Sequence, residues 1–325
     1  VLPFTFTRAA DEKSALAAGR AGARYIAGGT TLVDLMRETV ERPGAVVDIN
    51  ALPYRDIDLS HDRLRIGALV RMTDLATHPA VRQSFPVIAE ALELSASAQL
   101  RNMASIGGNL MQRPRCLYFR DVSAACNRRN PGSGCAAIGG LNRTHAILGA
   151  SDQCVATHPS DLAVALVALD AVVIARDADG ERRIPVGQFF RQPGQTPDRE
   201  HDLRPGELIV AVEVPSAPEM RRSGYLKVRD RQSYEFALVS TAVALDITGG
   251  VVRAARIAVG GVATVPWRLP AIERAIVGQR ASPALWSAAA AHAADGAKPL
   301  QDNGFKMELI RRTVERQLAA VAALP

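Results

Sequence analysis

All four cysteines of this 325-residue chain, Cys116, Cys126, Cys135 and Cys154, fall in one stretch, and no thiol occurs before Arg115 or after Val155. A structural role spread through a core would scatter them, so the pattern specifies one local site. The spacing is C-x9-C-x8-C-x18-C, without the C-x2–4-C knuckle that points two thiolates at one zinc ion. Zinc, disulfides, chance clustering and an iron–sulfur cluster are the alternatives. An iron–sulfur cage is larger than one ion, and irregular loops can wrap it. His145 and His158 are further candidate ligands, although with four thiols available a supporting role fits them better.

The surroundings are basic. Between positions 112 and 157 stand six arginines (113, 115, 120, 128, 129 and 143) against two acids, Asp121 and Asp152, which is most of the chain's net charge of +6. The excess reads either as a solvated loop or as compensation for a buried negative charge. The same 46 positions are rich in Gly, Pro and Asn and lack periodicity; loops of that length are usually functional or disordered.

On either side the chain reads as folded. Its length suits about two domains, 48% of its residues are hydrophobic, and its mean hydropathy is near zero. Neither a basic-plus-apolar leader nor an apolar run of about 18 residues is visible. Helices are expected over 12–18, 87–98, 283–294 and 305–322, with Thr30 and Ser160 as N-caps of two more. Strands are expected over 24–27, 45–49, 63–68, 208–214, 225–229, 238–247 and 251–259, and a hairpin over 171–184.

Two glycine elements and one polar element frame the cysteines. Ile26-Ala27-Gly28-Gly29-Thr30-Thr31-Leu32 follows a strand and opens a helix, where bare backbone N–H groups can approach a phosphate. Ser105-Ile106-Gly107-Gly108-Asn109 is the second, and His158-Pro159-Ser160-Asp161-Leu162 the third. In this order, followed by the strand Gly224-Tyr225-Leu226-Lys227-Val228-Arg229, they resemble the FAD subunits of the molybdenum hydroxylases. Cys116-Leu117-Tyr118-Phe119, Pro131-Gly132-Ser133-Gly134-Cys135 and Cys154-Val155-Ala156-Thr157 lie in an insertion between Asn109 and Asp161. They make the chain most similar to the subgroup found in bacterial periplasmic-type aldehyde oxidoreductases; hydroxybenzoyl-CoA reductase flavin subunits are the second candidate.

The resemblance implies a mixed α/β and α+β fold. Residues 1–216 would form a PCMH-type FAD-binding domain of two α/β subdomains, with the insertion 112–157 carrying a [4Fe-4S] cluster on Cys116, Cys126, Cys135 and Cys154. Residues 222–325 would form a C-terminal domain of antiparallel sheet and helices. It implies FAD contacts from Arg24, Tyr25, Ile26, Ala27, Gly28, Gly29, Thr30, Thr31 and Leu32. Ser105, Gly108 and Asn109 would lie near the diphosphate or ribityl chain, Asp161 at FAD hydroxyls, and Lys227 beside the isoalloxazine. It further implies an electron-transfer role without a catalytic acid or base on this chain. The partners would be a large molybdopterin subunit, a small [2Fe-2S] subunit and an external electron acceptor. Export on a partner's signal to the periplasm is the expected location, with the cytoplasm as the alternative; neither nucleic acid nor membrane insertion is expected. The competing classes are a zinc-stapled module binding nucleic acid through Cys126-Asn127-Arg128-Arg129-Asn130, and a stand-alone FAD oxidase.

Overall fold

The computed structural model describes all 325 residues and contains three sheets. The first is a small parallel sheet, ordered 5–8, 45–48, 24–26. Parallel neighbours need crossovers, here supplied by helices Glu12–Arg20 and Leu32–Arg37. Asp11 closes a capping box with Ser14 at the start of the first helix. Thr31, not Thr30, holds the N-cap position of the second, and its side chain makes no cap hydrogen bond.

The second sheet is antiparallel throughout, ordered 57–59, 63–67, 208–215, 172–177, 180–185. Leu64 and Ile66, with Ile209, Val212 and Val214, bury one of its faces against helices Pro86–Glu93 and Asp161–Ala168 in a core of 38 buried residues. Ser160 caps the latter helix, its Oγ accepting from the Ala163 N–H at 3.0 Å. The expected helix over 87–98 stops at Glu93; after Ala96, at φ +47°, a separate turn from Ala98 is capped by Ser97.

Glu213 sits at the centre of this sheet with its side chain 7% exposed, held by Arg65 at 2.7 Å, Arg183 at 2.7 Å and Arg63 at 3.7 Å. Burial pushes the Glu213 carboxyl up, but the three arginines outweigh it and hold the group below 4.5. A carboxylate depressed on folding contributes stability above its unfolded value, lost as pH falls below about 4.5 through the folded value. Glu213→Gln is therefore expected to cost on the order of 1 kcal/mol at neutral pH and to converge with the wild type in acid. Urea midpoints at the two pH values check this; an equal gap at both would refute it.

The third sheet, ordered 267–268, 251–260, 239–248, 223–228, is antiparallel and is covered by helices Pro270–Ile276, Pro283–Ala290 and Lys306–Ala322 around 23 buried residues. The inner strands Val239–Thr248 and Val251–Gly260 also supply Ala242, Ala244 and Ala258 to the first core, so the two sheets share packing. No helix is long and apolar enough to cross a membrane.

Candidate functional site

A cavity of about 850 Å³ opens where the two glycine elements meet. One wall is the unbroken run Arg24 to Leu32, and Ser105, Gly107 and Gly108 form the facing wall. The walls touch without side chains. A Cβ on Gly28 would stand 2.0 Å from the Met103 carbonyl oxygen, and one on Gly107 would meet Ala68 at 3.1 Å. Gly29 adopts φ +71°, which a side chain would strain. Ser105 caps the short helix Ile106–Leu110, its Oγ accepting from the Gly108 N–H at 3.2 Å. Tyr25 donates to the Gly206 carbonyl at 2.8 Å, and burial pushes its phenol up to about 12, so it stays neutral.

A third wall comes from 190–209, a segment without a recognisable site motif. Its long Pro- and Arg-rich loop is the one signal available beforehand. Arg191, Arg199 and Arg204 join Arg24, Arg113 and Arg128 around the cavity, against Glu41, Asp198, Glu200 and Glu207. The lining is thus net positive and partly bare backbone, the donor set a diphosphate requires. His158 lines it too, its ring edge-on to Phe190 at 4.4 Å; burial, with the nearby Arg128 charge, pushes it down to about 3, so it is a neutral imidazole.

Three expected contacts lie elsewhere. Asn109, Asp161 and Lys227 do not line the cavity. Asn109 accepts from the Ser160 hydroxyl at 2.5 Å. Lys227 and Asp161 form a buried ion pair at 2.8 Å, side chains 1% and 7% exposed. Tyr225 Oη (2.8 Å) and Ser95 Oγ (3.1 Å) also donate to Asp161, and Lys227 donates to the Leu94 carbonyl. Their polar atoms are thus committed to one another, joining the strand Ser223–Val228 to the helices of the preceding domain.

Beside the cavity lies the cysteine segment, which forms one helical turn, Leu117–Arg120, and otherwise turns. All four thiols are free. Cys126 and Cys135 face each other across an antiparallel bridge. Burial pushes the Cys116 thiol up to about 12, with the Cys126 and Cys154 sulfurs near enough to add to the shift; burial likewise raises Cys135, with Cys154 adding. Cys116 is thus near Cys126 and Cys154, and Cys135 is near Cys154, and no three Cys, His, Asp or Glu side chains converge as one metal ion requires.

Buried polar atoms without a partner concentrate in this segment. Of seven buried side-chain atoms without a hydrogen-bond partner, five belong to this segment: Arg115 Nε, Arg120 Nε and Nη2, Arg128 Nε and His145 Nδ1. The other His145 nitrogen, Nε2, lies 3.2 Å from Cys116 Sγ. The arginine excess, however, mostly anchors the segment. Arg115 pairs with Asp34, Arg120 with Asp34 and Glu38, Arg113 with Glu41 and Glu200, and Arg143 with Asp230. Arg129 donates to the carbonyls of Tyr118, Phe119 and Ala124. Much of the segment's positive charge is thus answered by acids on helix Leu32–Arg37 and on nearby loops.

A parallel α/β unit, an antiparallel sheet and a glycine-walled, net-positive cavity between them define a flavin-binding protein class. Residues 2–217 match the FAD binding domain in molybdopterin dehydrogenase, and residues 224–323 match the CO dehydrogenase flavoprotein C-terminal domain. The chain belongs to the FAD-binding subunits of the molybdopterin dehydrogenase family. It is 46% identical over 324 residues to the aldehyde oxidoreductase FAD-binding subunit PaoB of Escherichia coli, covering 98% of each chain. It is 30% identical to the 6-hydroxypseudooxynicotine dehydrogenase complex subunit alpha of Paenarthrobacter nicotinovorans, covering 94% of this chain and 88% of that one. A carbon monoxide dehydrogenase structure from Hydrogenophaga pseudoflava shares the fold, with a TM-score of 0.77 at 24% identity over 99% of this chain and 98% of that one. The chain is an FAD-binding subunit of an oxidoreductase.

Proposed function

We propose that this chain is the electron-transfer subunit of a molybdenum aldehyde oxidoreductase and that its four cysteines hold a [4Fe-4S] cluster. The observation that carries the reading is the juxtaposition of the glycine-walled cavity with a segment that holds four free, neighbouring thiols. Residues Arg24 to Leu32, with Ser105 and Gly108, would hold FAD, and Cys116, Cys126, Cys135 and Cys154 the cluster. When bound, these groups supply the redox chemistry; the chain supplies position, charge and exclusion of water. Glycines at 28, 29 and 107 let backbone reach the diphosphate. His158, neutral and edge-on to Phe190, adds no charge of its own to the cavity lining.

The 46% identity to an aldehyde oxidoreductase subunit supports aldehydes as the substrate class, oxidised on a partner. The partners in this reading are a large molybdopterin subunit and a small [2Fe-2S] subunit, with electrons leaving to an external acceptor. Export to the periplasm on a partner belongs to the same proposal.

Iron and acid-labile sulfide assays on the anaerobically purified complex test the cluster. About four irons beyond those of the partners are expected, with an EPR signal on reduction, and Cys126→Ser is expected to lose that iron while keeping its flavin absorbance. Full iron retention in the variant would remove Cys126 from the ligand set, and a wild-type chain with flavin but no iron of its own would overturn the cluster reading.

A further inference from the structure

Between Cys116 and Cys154, one residue alone lines the cavity, and it is Arg128. Its side chain is 4% exposed, far below what a cavity-mouth arginine would show. One Nη pairs with Glu200 Oε2 at 3.3 Å, while Nε is buried without a partner. It stands two residues from Cys126, and Cys126 and Cys154 both lie within reach of its charge. On the cavity side it is close enough to His158 to help hold that ring neutral. Glu200 and Arg113 continue the same array, since Glu200 also accepts from Arg113 at 2.6 Å.

An arginine sealed into the partition between two sites acts on both. A guanidinium cannot be deprotonated in a protein, so its charge is constant. Its field in a buried setting is weakly screened. Each electron added at either site adds negative charge, which a fixed positive charge favours, and the unpartnered Nε leaves a donor free.

We propose that Arg128 is a shared electrostatic tuning residue, setting the reduction potentials of the flavin site and the four-cysteine site together, with Glu200 as its opposing counterweight. The inference rests on the FAD and cluster reading given above. It assigns Arg128 no proton or electron transfer; the residue acts by position and charge.

The test is an anaerobic potentiometric titration of the intact complex, following flavin absorbance and cluster EPR, for wild type, Arg128→Gln, Arg128→Lys and Glu200→Gln. Arg128→Gln is expected to lower both potentials, by at least a tenfold change in the reduced-to-oxidised ratio at fixed potential, or ~59 mV for a one-electron couple. Arg128→Lys, which keeps the charge, is expected to shift both less. Glu200→Gln is expected to raise both. A shift at one site only, or shifts of the same sign for Arg128→Gln and Glu200→Gln, would overturn the proposal. Should Arg128→Gln fail to retain both groups, Glu200→Gln decides alone: a joint rise supports the tuning role and unchanged potentials refute it. Wild-type complex with flavin but no iron on this chain would sink the cluster reading and this inference with it, whereas both groups present with unmoved potentials sinks only the inference.

Discussion

Lys227→Met is expected to destabilise the chain by about 3–5 kcal/mol, because it leaves Asp161 charged and buried without its counterion. Asp161 would keep Tyr225 and Ser95 as donors, but neither supplies charge. The ion pair bridges the C-terminal sheet and the helix Asp161–Ala168, so the loss should loosen the contact between the domains as well as the local packing. Asp161→Asn in the same chain removes the stranded charge and should recover much of the stability, as expected when both members of a buried pair are neutralised. Thermal and urea unfolding of the single and double variants measure this. A single-variant loss of a few tenths of a kcal/mol would mean that solvent screens the pair, contrary to its burial.

Gly28→Ala should have the second large effect, and on a different property. Its Cβ would be placed 2.0 Å from the Met103 oxygen and 2.6 Å from the Met103 carbon. Those are backbone atoms, so no rotamer change relieves the clash and one glycine wall must move off the other. Overpacking of this kind costs about 1–3 kcal/mol or more, and it opens the cavity at the wall expected to approach the diphosphate. Flavin content per chain is expected to fall at least tenfold, which is about 1.4 kcal/mol of binding. Gly44→Ala, where nothing lies within 4 Å of the added carbon, is the control and should retain its flavin. Full flavin retention in Gly28→Ala would show that the loops separate without harm to the site.

The sequence made the strand and helix periodicities legible, together with the segment that would carry the cysteines. Those features are local: alternation at Leu64 and Ile66, the Ser160 cap, four thiols in one stretch. What it hid depends on distant partners. Asp161 and Lys227 read as two separate cofactor contacts, and only the approach of Ser223–Val228 to the helix at Ser160 brings them together as a buried pair. The arginines of the insertion look like an excess until Asp34, Glu38, Glu41 and Glu200 come opposite them. Thr31 rather than Thr30 takes the cap position, and both line the cavity. The wall at 190–209 has no motif at all; it is a loop placed by the sheet that carries it.

The late half of the cysteine segment is fastened by chain that is made last. Ile147 donates to the Val262 carbonyl, and Lys298 donates back to Ile147. Lys306, wholly buried, donates to the carbonyls of Thr144, His145 and Gly261 at 3.0, 3.0 and 2.7 Å. During synthesis Cys116 to Cys154 therefore leave the ribosome well before the residues that shape the return limb around them. The frame around the thiols is complete only once the final helix has docked, so the cluster proposed above would be loaded late in maturation. Truncation beyond Asn303 would then leave every cysteine in place and still produce a chain unable to mature.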